Sequence, residues 1–182
     1  MKNFFRSLIL AAALIAAANV GTMAQATDPE NTLYMDLTYG RVVIQMRPDL
    51  APKHVARIKE LTRQGFYDGL KFHRVIDGFM AQTGDPKGNG TGGSGQNIPA
   101  EFTTQPFVRG TVGMARAASA NSADSQFFIM FDEGSFLNGK YTVWGQVVSG
   151  MEFVDMIKKG EPPRQPDKIV KMQVAADAEK AK

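Results

Sequence analysis

The spacing of short apolar runs is what most limits how this chain can fold. Segments rich in aromatic and β-branched residues recur along it, separated by Gly, Pro, Asn and Asp. TLYMDLT (32–38) and RVVIQM (41–46) flank Tyr39-Gly40 and read as a hairpin. FHRVIDGFMAQTGD (72–85) reads as a second hairpin around Asp77-Gly78. GTVGMARA (110–117), SQFFIMF (125–131), TVWGQVV (142–148) and IVKMQVA (169–175) supply further strands. Only two stretches carry helical signals. Val55, Ile58 and Leu61 recur at helical spacing, with Asp49 and Pro52 as start signals and Gly65 as the stop. MEFVDMIKKG (151–160) ends on Lys158, Lys159 and Gly160. About eight strands, two helices and no βαβ alternation predict a mostly β, largely antiparallel domain, either a closed barrel or a sandwich with helices over its apolar openings. No repeat or linker divides it.

Residues 1–26 read as a cleavable signal peptide. Lys2 and Arg6 precede the apolar run LILAAALIAAA (8–18), and Ala24-Gln25-Ala26 offers a small-x-small cleavage site. The remaining 27–182 form one domain, large enough for a hydrophobic core, with a polar tail expected to fray from about 176. Removing the leader lowers the basic count from 21 to 19 against 18 acidic residues, so nothing argues for nucleic acid or for an acidic membrane surface. Cysteine is absent, which excludes disulfides and thiolate metal sites. Two histidines, His54 and His73, are too few for a histidine zinc site.

Two motifs invite misreading. GNGTGG (88–93) satisfies a dinucleotide-binding pattern, but Asp85-Pro86-Lys87 before it and Ser94 to Pro99 after it supply neither the strand nor the helix that pattern needs. His73, Asp85 and Ser125 lack any nucleophile-elbow context. His54 is expected to be a partly exposed helix residue, and both histidines read as structural.

The 72–85 hairpin admits two registers. A two-residue turn pairs Arg74 with Ala81, whereas a three-residue loop, Asp77-Gly78-Phe79, pairs Arg74 with Gln82 and Ile76 with Met80. The second is preferred, because it gives the guanidinium a hydrogen-bonding partner across the strand. That face then carries a cation, an amide and an apolar rim.

With FHRVIDGFMAQTGD, NGTGG, GMARA, SQFFIMF and FLNGKYTVWGQVVSGME in this order, the chain resembles the cyclophilin family of peptidyl-prolyl cis–trans isomerases over about 32–175. The resemblance is closest to exported, periplasmic bacterial members. It implies a closed eight-stranded antiparallel barrel capped by two α-helices. It implies Arg74 as catalytic arginine and Phe79, Met80, Phe128 and Leu137 as the seat of the substrate proline ring. Gln82 and Gln126 would position the arginine and the peptide backbone. Ala115, Arg116 and Ala117 would grip the residues before proline, and Gly90 would border the groove. One of Phe127 and Phe128 must be core in any barrel.

Phe136 stands where eukaryotic members carry tryptophan, Tyr141 where they carry histidine and Arg116 where they carry asparagine. The segment between Met114 and Gln126 is one residue longer. Both Phe136 and Tyr141 still fall at the edge of the substrate-binding pocket. Loss of the indole N–H at 136 weighs against tight cyclosporin binding. The implied activity is rotation of X–Pro bonds in folding exported proteins, with Arg74 hydrogen-bonding the prolyl nitrogen of the twisted amide. It needs no cofactor and no metal. Its partners would be proline-containing unfolded or partly folded chains, met by a monomer free of the membrane after leader removal. The rival reading is a proline-peptide binding module or holdase chaperone with little turnover.

Overall fold

A computed structural model describes residues 28–180. The signal-peptide reading lies outside them. Eight strands form one antiparallel sheet: β1 (Thr32–Leu37), β2 (Gly40–Met46), β3 (Arg74–Ile76), β4 (Met80–Thr83), β5 (Thr111–Met114), β6 (Phe127–Met130), β7 (Val143–Ser149) and β8 (Lys171–Val174). They lie in the order β3-β4-β6-β5-β7-β2-β1-β8, curled into a barrel. Among the described residues no ladder joins β3 to β8. That seam is crossed by flanking backbone instead: Gly69 N–H donates to Ile169 O at 2.8 Å, Ile169 N–H to Leu70 O at 2.9 Å and Phe72 N–H to Asp167 O at 2.9 Å. The expectation of full closure is therefore narrowed to a curled sheet stitched at one seam, where the outer edge of β3 is taken by Gly160, which exchanges both backbone hydrogen bonds with Val75.

Among the described residues three α-helices are present where two were expected. α1 (Pro52–Arg63) buries Val55, Ile58 and Leu61, the residues whose spacing marked it. α2 (Met151–Asp155) is shorter than the 151–160 signal suggested. Lys159 lies beyond its end and donates to Asp155 O at 2.6 Å. Where the sequence reading leaves a fraying tail, α3 (Ala175–Lys180) forms, and Arg63 holds Asp177 at 2.8 Å.

α1 is capped from a distance. Asp49 pairs with Arg47 at 2.7 Å and is not spent on the helix; Ala51 at the N-cap supplies no side-chain bond. Glu101 accepts the N–H groups of Lys53 at 3.1 Å and His54 at 3.0 Å, satisfying donors that the first turn leaves open. His54 is fully buried, not partly exposed, with its Nδ1 2.7 Å from the same carboxylate. A carboxylate only accepts, so Nδ1 carries the proton. Burial holds the His54 ring below the usual histidine range despite Glu101. Burial alone would raise Glu101, but the His54 ring and the two amides outweigh it and hold the carboxyl low.

Strand alternation divides the apolar residues between two faces. On β6, Phe127 and Ile129 enter the main core with Trp144, Tyr67 and Phe72, while Phe128 and Met130 join a separate cluster with Met80, Phe107, Leu137 and Val143. Phe107 stacks on Phe128 at 5.7 Å between centroids, with 22° between the planes. Gly113 makes that stack possible: a Cβ there would stand 2.5 Å from both rings.

Three outcomes follow from this packing. Glu101→Ala lowers the unfolding free energy by about 2–3 kcal/mol at neutral pH, measured with urea, since it strips three partners from one carboxylate. In the wild type, stability falls as pH drops through about 6.5, where only the unfolded chain protonates His54, and again below about 4.5 as Glu101 protonates. Gly113→Ala costs about 1–3 kcal/mol by overpacking in the same assay.

Candidate active site

The β3–β4 hairpin adopts the three-residue-loop register, with Arg74 opposite Gln82 and Ile76 opposite Met80. Gly78 closes the turn at φ +65°, a left-handed conformation that suits glycine. Phe79 N–H donates to Ile76 O at 3.1 Å. β4 pairs with β6 so that Gln82 faces Phe128 and Met80 faces Met130. These two registers set Arg74, Gln82, Met80 and Phe128 on one outward face.

That face is hollowed into an apolar lobe of about 360 Å³. Met80, Phe128 and Leu137 are its buried members, with 1, 5 and 7 % of their surface exposed. Phe79 and the largely exposed Phe136 stand beside them, their rings 5.4 Å apart. Tyr141 meets Phe128 edge-on at 6.0 Å. Leu137 is brought in by the 3₁₀ turn Ser135–Leu137, and Asn138 just after it accepts Phe107 N–H at 2.8 Å.

A second lobe of about 310 Å³ opens alongside. Gly90, Ala117, Ser122 and Gln126 line it, and Gln82, Ala115 and Arg116 are shared by both lobes. The chain leaves β5 at Met114, which is why Ala115 to Ala117 border a groove and do not continue the strand. Arg116 lies over the Tyr141 ring at 4.5 Å and donates to Ala117 O at 2.9 Å and to Lys140 O at 3.0 Å.

A polar relay joins the lobes. Arg74 Nη1 approaches Gln82 Oε1 at 3.5 Å, Gln82 Nε2 donates to Gln126 Oε1 at 2.9 Å, and Gln126 Nε2 donates to Gly90 O at 3.0 Å and Gly92 O at 2.8 Å. The glycine loop at the end of this relay is held by Asp85, which accepts N–H groups from Lys87 at 2.8 Å, Asn89 at 2.9 Å and Gly90 at 2.6 Å. Burial alone would raise the Asp85 carboxyl, but those amides outweigh it and hold it low. Asp85 therefore serves the loop, and Ser125 Oγ donates to Gly84 O at 2.7 Å. No hydrolase triad exists among His73, Asp85 and Ser125, and no helix follows GNGTGG.

All thirteen candidate residues fall in these two adjoining lobes. Three neighbours escaped the sequence reading. Glu161 pairs with Arg74 Nε at 2.8 Å from 87 positions away. Phe107 and Gly113 support Phe128 from beneath. Periodicity marks Gly113 as a strand glycine, but nothing local in the sequence links Glu161 to Arg74.

Arg74 is the charged donor between the two lobes that has hydrogen-bonding capacity to spare. Its Nε is engaged by Glu161 and one Nη1 N–H by Gln82; among the described residues Nη2 has no partner. A permanently charged donor is thus presented at the edge of an apolar hollow. Among the described residues no cluster of three His, Cys, Asp or Glu side chains could hold a metal ion.

The family model for "Cyclophilin type peptidyl-prolyl cis-trans isomerase/CLD" matches residues 32–174. A "Probable peptidyl-prolyl cis-trans isomerase" from Brucella suis is 56 % identical over 194 aligned positions, covering 96 % of this chain and 98 % of the relative. "Peptidyl-prolyl cis-trans isomerase B" of Bacillus subtilis is 42 % identical over 123 positions, covering 66 % of this chain and 85 % of its own. Among solved structures, cyclophilin AquaCyp293 from Hirschia baltica superposes with a TM-score of 0.77 at 31 % identity, covering 83 % of this chain and 76 % of that one. A Cryptosporidium parvum cyclophilin-type isomerase, crystallised in the presence of the dipeptide ala-pro, gives 0.73 at 28 %, covering 79 % and 98 %. With its fold, the family model and these relatives in agreement, the chain belongs to the cyclophilin-type peptidyl-prolyl cis–trans isomerases.

Proposed function

We propose that this isomerase turns X–Pro bonds by seating the proline ring in the apolar lobe and donating a hydrogen bond from Arg74 to the prolyl nitrogen as the amide twists. The observation that carries the reading is the unclaimed Nη2 edge of Arg74 on the rim of a lobe built on Met80, Phe128 and Leu137. Amide resonance sets a barrier of about 18–20 kcal/mol. At the twisted geometry the nitrogen lone pair is no longer shared with the carbonyl and becomes a better acceptor. A donor aimed at it binds the transition state more tightly than the planar ground state, which is the condition for acceleration.

A charge-assisted hydrogen bond made only in the transition state contributes about 1.5–3 kcal/mol, or about 10- to 150-fold in rate. The remainder comes from immobilising the ring while the carbonyl side rotates, and from a dry surround that weakens amide resonance. The Gln82–Gln126 relay keeps the arginine level with the groove and braces the second lobe, which takes the peptide beyond the ring. The substrates are accessible X–Pro bonds of unfolded or partly folded proteins. The proposal extends to an enzyme that acts as a monomer on folding exported proteins in the periplasm, a location that the leader-like sequence of residues 1–26 supports.

Arg74→Ala lowers kcat/KM for a proline-containing tetrapeptide about 10- to 150-fold, followed by NMR exchange, while peptide binding stays within a few-fold. Isomerisation at the wild-type rate in that variant would exclude the arginine chemistry. A wild type that binds the peptide without accelerating it would establish the binding-module reading.

A further inference from the structure

Glu161 sits beside Arg74 by construction. Its carboxylate accepts from Arg74 Nε at 2.8 Å. Immediately before it, Gly160 and Val75 exchange both backbone hydrogen bonds, each 2.8 Å, so the loop is paired to β3 one residue from Arg74. Pro163, two residues on, is buried. Farther along, Asp167 accepts Lys158 N–H at 2.9 Å through its carboxylate and Phe72 N–H at 2.9 Å through its carbonyl. The loop is pinned on both sides of the carboxylate, and Glu161 is delivered to one edge of the guanidinium.

Stability does not account for the pair. The Arg74 side chain is 42 % exposed and that of Glu161 51 %, and ion pairs so open contribute about 0–1 kcal/mol to folding. Orientation does account for it. Gln82 is at 3.5 Å, the outer limit of a hydrogen bond, and alone leaves the planar guanidinium free to swing about its long stem. An acceptor on Nε fixes the plane and leaves Nη2 unclaimed on a residue that lines the lobe.

We infer that Glu161 is a positioning residue for the isomerase, holding the Arg74 guanidinium so that its Nη edge meets the prolyl nitrogen. The role rests on the arginine chemistry proposed above. It acts on turnover more than on binding, since the seat of the proline ring is built from other side chains.

The test is a mutant cycle on the full chain with the same tetrapeptide. Glu161→Ala lowers kcat about 5-fold, with KM and the thermal midpoint unchanged, the size expected for losing one exposed charged hydrogen bond. Glu161→Gln, which keeps an acceptor at the same reach, stays within about 2-fold of wild type. In an Arg74→Ala background, Glu161→Ala has no further effect. The inference is overturned if Glu161→Ala turns over like wild type, if glutamine is as poor as alanine, or if the loss persists without Arg74. An Arg74→Ala variant as active as wild type would instead remove the arginine chemistry itself, a distinguishable failure.

Discussion

The register between β4 and β6 is the constraint on which the site depends. Gln82 opposite Phe128 and Met80 opposite Met130 put polar and apolar members of the groove on one side of the sheet, while Ala81 and Ile129 face the core. A slip of one residue would exchange the two faces, burying Gln82 and exposing Ala81. The β3–β4 turn transmits the same register outward, so Arg74 arrives above the lobe because Gln82 is already beside it. The placement of Arg74, Gln82, Met80 and Phe128 is therefore a product of backbone pairing.

Much of this was legible in the residues. Alternation and turn chemistry mark the strands, and a hydrogen-bonding partner for Arg74 across the hairpin points to the register found in the structure. Helical spacing found α1, although it misjudged its cap: Asp49 has the right chemistry for an N-cap, but Arg47 two residues away captures it. Periodicity could say that one of Phe127 and Phe128 must be core, and could not say which. The family resemblance resolved that choice, and burial in separate clusters agrees with it.

What stayed hidden was long-range and polar. Glu101 reaches α1 across 47 positions and Glu161 reaches Arg74 across 87. Neither partner leaves a periodic trace, because a single carboxylate can serve wherever the fold delivers it. His54 was misread for a related reason. On a helix of mixed composition a histidine reads as surface, and the partner that Glu101 gives Nδ1 inside the fold leaves no local trace.

Phe128, one wall of the groove, rests on Phe107, and the two rings meet over a strand position that carries only hydrogen at its Cα. The hollow's depth is thus governed from its underside, by an atom that is missing. Reshaping what the hollow admits need not involve any side chain that a bound peptide could touch; adding or withholding a methyl group one layer below would serve.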